Sequence, residues 1–301
     1  MSNDKQSLSG RVVLITGAGK GLGRAWALHL AAKGASLVIN NRGVRDQPSG
    51  NSADSVVAEI QAAGGQAVAN YDSVERPGAA ENLVATALGH FGRLDSVITN
   101  AGIDCASSFH KQPLEDFERV VEINFLAAAR LLHSAWPVMR EANYGRVVVV
   151  SSTAGLYGNH GQSAYAASKA ALNGLMHTLS IEAAGRDIAV NSVAPYAYTK
   201  MTRSAFPLQQ VEDFAPVATA PLVAWMASPQ CSINGKTFIV GAGQVRLAQT
   251  LETASVPLGA DTGRAVEELL GAPFTEPSPA SASAEFADFM SALSGKTTDS
   301  Q

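Results

Sequence analysis

Short runs of β-branched residues alternate along this chain with longer segments rich in Ala and Leu. The runs cover residues 12–16, 36–40, 67–70, 94–99, 146–151, 188–193 and 237–240. Between them lie helix-like stretches at 22–33, 53–63, 79–91, 114–141, 164–184 and 221–227. Several runs are apolar at every position, as in Val147-Val148-Val149-Val150. A strand with one wet face would alternate apolar and polar residues. A continuous run marks a strand covered on both faces, hence a parallel sheet between two helical layers. Seven strands alternating with helices therefore predict one α/β domain over residues 8–245. Its expected form is a doubly wound, seven-stranded parallel sheet flanked by helices on both faces.

The pattern stops near Gly243, which leaves residues 246–301 as a C-terminal extension. Residues 272–284 (APFTEPSPASASA) are rich in Pro, Ser and Ala and read as a flexible connector. Beyond them Phe286, Phe289, Met290 and Leu293 recur at helical spacing. They fit either a short docking helix or a partly disordered tail.

Composition narrows the field. The chain is 46% hydrophobic, enough for a sizeable core, and its net charge is −4 with no long basic run, so a nucleic-acid surface is not expected. The two cysteines, Cys105 and Cys231, form no metal-ligand pattern with each other or with histidine. No apolar run is long enough to cross a membrane. Residues 1–10 are polar and the chain ends Thr298-Asp299-Ser300-Gln301, so neither a signal peptide nor a peroxisomal tripeptide is expected, and the expected place is the cytoplasm.

The first strand runs straight into Thr16-Gly17-Ala18-Gly19-Lys20-Gly21-Leu22-Gly23-Arg24. Gly17, Gly21 and Gly23 permit a tight turn and close approach of the backbone to a pyrophosphate. The helix that follows points its positive end at that anion. Lys20, Gly21 and Leu22 belong to the same turn. Strand two ends Asn40-Asn41-Arg42, where dinucleotide folds commonly place a carboxylate for the ribose hydroxyls. Asn41 can bond a hydroxyl without repelling a phosphate, and Arg42 and Lys20 can both pair with a 2′-phosphate. This favours NADP(H), with NAD(H) as the alternative.

Tyr165 and Lys169 stand four residues apart, about one helical turn, so phenol and ammonium share a face. A free tyrosine has a pKa of about 10, and a nearby cation moves it toward the range of a working acid–base. Alone the pair is weak and fits two exposed side chains equally well. The order of the other motifs decides. TGAGKGLG begins at Thr16, Asp72-Ser73 follows strand three, Asn100-Ala101-Gly102 follows strand four, then come Asn124 and Ser152, with Ser152 thirteen residues before Tyr165.

In this order the motifs resemble the short-chain dehydrogenase/reductase family over residues 8–245. The resemblance implies that Tyr165 is the general acid or base, that Ser152 positions the reacting oxygen, and that Lys169 bonds the nicotinamide ribose and lowers the tyrosine pKa. It implies that Asn124 helps hold a water linking Lys169 to solvent, that Asp72 and Ser73 meet the adenine, and that Asn100, Ala101 and Gly102 pack beside the cofactor. After Pro195 the family's glycine is missing, and Thr199 is expected to hold the nicotinamide amide. Thr153, Tyr157 and His160 are expected at the substrate, beneath a lid carrying Phe206 and Phe214. Stretches such as residues 65–74, 144–146 and 156–162 are similar to the D-specific 3-hydroxyacyl-CoA dehydrogenase domain of the peroxisomal multifunctional enzyme and its bacterial relatives. That similarity implies an acyl thioester, hydroxysteroid or related ketone as substrate, and a homodimer or homotetramer. A broad ketoreductase and a non-catalytic nucleotide-binding scaffold are the alternatives.

Overall fold

The computed structural model describes residues 7–42, 52–203, 211–277, 281–284, 286 and 289–290. Phe206 and Leu293 therefore lie outside the described residues. Contacts divide the chain into two units, Met1–Leu247 and Ala248–Gln301.

The first unit alternates strand and helix. Its strands are β1 (Val12–Ile15), β2 (Ser36–Asn40), β3 (Gln66–Asn70), β4 (Ser96–Thr99), β5 (Tyr144–Val150), β6 (Asp187–Pro195), β7 (Thr237–Gly241) and β8 (Gln244–Ala248). Its helices are α1 (Gly21–Ala32), α2 (Ala53–Ala62), α3 (Ala79–Phe91), α4 (Leu114–Val121), α5 (Ala127–Glu141), α6 (Ala154–Tyr157), α7 (Ser163–Glu182) and α8 (Ala220–Met226). The sheet order is β3-β2-β1-β4-β5-β6-β7-β8, with β1 through β7 paired in parallel. The chain reverses direction across the sheet between β1 and β4, and ligands bind at such a switch point.

The apolar runs are explained by burial on both faces. In β1, Val13 and Ile15 join one core with Trp26, Leu30, Val56 and Val223. Val12 and Leu14 point the other way, into a second core with Leu83, Leu131, Leu172 and Met176. The first core draws on α1, α2 and α8, the second on α3, α5 and α7. Each strand residue is thus buried whichever way the pleat points it.

The seven parallel strands are those expected, and an eighth joins them, because Ala242 and Gly243, with φ of 47° and 69°, reverse the chain into β8. Two consecutive positive φ angles make the tight turn of a two-residue hairpin, so β8 runs antiparallel to β7. The helix expected over 114–141 is interrupted by a π-helical turn, Glu122–Leu126, which inserts one residue between α4 and α5.

In the second unit, β9 (Leu251–Thr253) pairs antiparallel with β10 (Phe274–Pro277). Between them, α9 (Thr262–Gly271) is capped by Asp261, whose side chain accepts from the Arg264 amide at 3.0 Å. The expected flexible connector over 272–284 is therefore partly a strand. Backbone pairing with β9 supplies the order that the Pro- and Ser-rich composition does not suggest.

Candidate active site

The phosphate-binding turn is braced from β4. Asn100 Nδ2 donates to the carbonyls of Thr16 and Gly17 at 2.9 and 3.1 Å, and Thr16 Oγ1 accepts from the Ala101 amide at 3.0 Å. These contacts leave no room for side chains. A Cβ on Gly23 would lie 2.6 Å from Asn100 Nδ2, and one on Gly17 2.9 Å from Ala101 Cα. Gly17 and Gly21 also adopt φ of 64° and 56°, where a Cβ is strained. No side chain caps the first turn of α1, so its amides are left for a ligand. Lys20 stands exposed at the N-cap, and Thr199 overhangs Gly21. This glycine cradle with an uncapped helix end fits a dinucleotide pyrophosphate.

At the ends of β2 and β3 lies a hydrogen-bonded polar cluster. Asn40 Nδ2 donates to Asn70 Oδ1 at 3.0 Å and to the Asp72 carbonyl at 2.9 Å. Asn70 Nδ2 in turn donates to Asp72 Oδ2 at 3.1 Å, so Asp72 is held in place from β2 and β3. Asn41 packs its carboxamide over Gly19, where a Cβ would come within 2.6 Å of it. Arg42 reaches Glu75, at 3.6 Å.

Ser152, Tyr165 and Lys169 gather near the end of β5. Ser152 Oγ accepts from the Ala154 amide at 3.2 Å. Lys169 is only 3% exposed, and its Nζ donates to the Val150 carbonyl at 2.7 Å. Ser151 Oγ donates to the Lys169 carbonyl at 2.8 Å. Gly155 lets α6 press onto α7, since a Cβ there would meet the Lys169 backbone at 2.7 Å.

The electrostatics differ from the expectation. Burial raises the Tyr165 pKa; the Ser152 hydroxyl works against this and the Asp104 carboxylate adds to it. Burial also lowers Lys169 to about 8. The ammonium lies 5.6 Å from the Tyr165 ring centroid and is turned toward Val150. The net shift of the phenol is upward, against the expected lowering, because the desolvation of its charged form is the largest influence on it.

Asn124, in the π-helical turn, does not bond Lys169. Its Oδ1 accepts from the Ile103 amide at 2.8 Å, and its Nδ2 donates to the Ile103 carbonyl at 2.9 Å and to Ser168 Oγ at 3.2 Å. It clamps the loop after Gly102 to α7. Gly102 lies between the two groups: a Cβ there would be 3.2 Å from Asn124 Oδ1 and 3.6 Å from Lys169 Nζ.

Asp104, in the same loop, takes a hydrogen bond from Gln162 Nε2. The Ser107 amide donates to the Gly161 carbonyl at 2.8 Å, so two loops are stapled together beside Tyr165. Neither Asp104 nor Gly155 stands in a recognised motif, and only the fold reveals their place. Thr153 is half-buried next to Ser152, whereas His160 is exposed and Tyr157 is 72% exposed. Pro195 ends β6, and Thr199 Oγ1 lies 3.1 Å from Thr202 Oγ1. The Tyr198 amide donates to the Phe214 carbonyl at 2.7 Å, which ties the segment after β6 to that before α8.

A dinucleotide cradle beside Tyr165 and the buried Lys169, at the ends of the central parallel strands, defines an oxidoreductase that works with a nicotinamide cofactor. Residues 11–210 match the short chain dehydrogenase family, and the chain belongs to it. A Mycobacterium tuberculosis protein described as a short-chain type dehydrogenase/reductase is 45% identical over 239 residues, covering 78% of this chain and 84% of the relative. Peroxisomal multifunctional enzyme type 2 of Mus musculus is also 45% identical over 239 residues, but this chain spans only 32% of its length. A crystal structure of a short chain dehydrogenase from Mycobacterium avium superposes with a TM-score of 0.79 at 34% identity, covering 90% of this chain and 98% of that one. Among the described residues, no helix is long and apolar enough to cross a membrane.

Proposed function

We propose that this chain interconverts a secondary alcohol and a ketone on an acyl thioester of the 3-hydroxyacyl type, with NADP(H) favoured over NAD(H). The observation that carries the reaction is the gathering of Ser152 and Tyr165 with the buried Lys169, whose ammonium lies 5.6 Å from the Tyr165 ring centroid. The thioester rests on the similarity to the hydroxyacyl-CoA dehydrogenase domain. The phosphorylated cofactor rests on Arg42 and Lys20, with an uncharged Asn41 at the end of β2.

The bound nicotinamide supplies or accepts the hydride. The chain's own residues do the rest. The turn from Gly17 to Gly23 seats the pyrophosphate, with Asp72 and Ser73 at the adenine and Pro195 and Thr199 at the nicotinamide end. Ser152 Oγ and Tyr165 Oη donate to the carbonyl oxygen, where negative charge develops. Tyr165 then gives its proton to that oxygen, and hydride and proton together convert ketone to alcohol. In oxidation the same phenol takes the proton back. Because burial raises its pKa, Tyr165 is protonated at neutral pH and ready to act as the acid. Lys169 holds the ribose, and Asn124 fixes the loop that lines it. Thr153, Tyr157 and His160 border the substrate, and assembly is through copies of this chain.

Tyr165→Phe keeps the ring and removes the proton. It should lower kcat by about 10²–10⁴-fold while the Kd for the reduced cofactor stays near wild type. Turnover close to wild type would refute the assignment.

A further inference from the structure

The adenosine end of the cleft carries a carboxylate that no motif accounts for. Glu75 follows Asp72-Ser73 on the loop after β3. Its Oε1 lies 3.6 Å from Arg42 Nη1, and its Oε2 accepts from Ser73 Oγ at 2.7 Å. Burial works to raise this carboxyl, but the Ser73 hydrogen bond, its own backbone amide and the cations Arg42 and Arg119 outweigh that and hold it below the usual carboxylate range. Glu75 is therefore ionised at neutral pH. Its side chain is 27% exposed and that of Arg42 54%, so the pair adds little to the stability of the fold. Its effect falls on whatever ligand Arg42 meets.

A 2′-phosphate needs the Arg42 guanidinium, which Glu75 already engages. The phosphate must displace that carboxylate and then bear its repulsion. A 2′-hydroxyl meets neither obstacle, and it can itself donate to a carboxylate. Asn41 is uncharged and packed over Gly19, so it cannot exert this opposition. We propose that Glu75 sets the discrimination between 2′-phosphorylated and unphosphorylated dinucleotides, by holding Arg42 and repelling the phosphate. The inference rests on the reading of this cleft as the adenosine site and limits how strongly NADP(H) can be favoured there.

The test is equilibrium binding, independent of turnover. Wild type and Glu75→Gln are titrated by calorimetry with adenosine 2′,5′-bisphosphate and with AMP. Loss of one charge near a phosphate should tighten the bisphosphate about tenfold and leave AMP within about twofold. Arg42→Ala placed on Glu75→Gln should abolish the gain. A merely structural role for Glu75 would move both ligands together, so equal changes overturn the proposal. So does a gain that Arg42→Ala leaves undiminished. If wild type binds neither nucleotide, nor NADPH nor NADH, the adenosine-site reading itself fails, an outcome distinct from the first two.

Discussion

Lys169→Met should make the protein more stable while removing the proposed ribose ligand. The lysine is 3% exposed and is held by the Val150 carbonyl at 2.7 Å. Burial lowers its pKa from 10.5 to about 8. At about 1.4 kcal/mol per pKa unit, the charged form costs the native state about 3 kcal/mol. Methionine keeps the length and flexibility of the stem without the charge. It leaves the Val150 carbonyl without its donor, which costs about 1–2 kcal/mol. The net gain is about 1–2 kcal/mol, or about 2–6 °C in Tm for a chain of this size.

The pH dependence fixes the sign. Between pH 8 and 10.5 the unfolded lysine holds a proton that the folded one has lost, so wild-type stability rises with pH in that window. The advantage of Lys169→Met is therefore largest below pH 8 and vanishes toward pH 10.5. Thermal unfolding of both proteins without cofactor, from pH 7 to 10.5, reads this directly. A variant no more stable than wild type at pH 7, or a difference flat across the range, would refute the reasoning.

Two further variants probe residues that no motif marks. Asp104→Asn removes a negative charge that helps raise Tyr165, so the rise of oxidative kcat/KM with pH should move to lower pH; an unmoved limb, or one displaced upward, would count against the contact. Gly155→Ala drives a methyl to 2.7 Å from the Lys169 backbone, so kcat should fall at least about tenfold and stability by about 1–3 kcal/mol, and near-normal values of both would show that α6 can shift freely.

The sheet was legible because burial on both faces writes itself into the strands as unbroken apolar runs. The cradle was legible because only glycine fits where Asn100 and Ala101 close on the turn. The strand β8 left a fainter trace. Gln244, Val245, Arg246 and Leu247 alternate, but Val245 and Leu247 are 55% and 49% exposed, so the alternation is not tied to a core. The π-helical turn left none, since one inserted residue barely disturbs a helical repeat. The direction of the Tyr165 pKa shift was not legible. The spacing shows that Tyr165 and Lys169 share a face, but the depth at which that face is buried is a property of α6 and β5 closing over it. Glu75 and Asp104 were invisible for a related reason: each matters through a partner distant in the chain.

The Asn100 strut ties together two functions that could have been built separately. Its carboxamide grips the phosphate turn, and the chain leaving it reaches Ile103 three residues later, where Asn124 clamps it to α7. The glycine turn proposed to seat the hydride carrier and the helix bearing Tyr165, the proposed proton donor, are thus tied together by four consecutive residues. The segments proposed to meet the rest of the substrate, around Tyr157, His160 and the stretch after Pro195, lie outside this strut. Those segments can be exchanged without re-aiming the reaction. A scaffold divided in this way can acquire new substrates by surface drift alone, with the chemistry carried along unchanged.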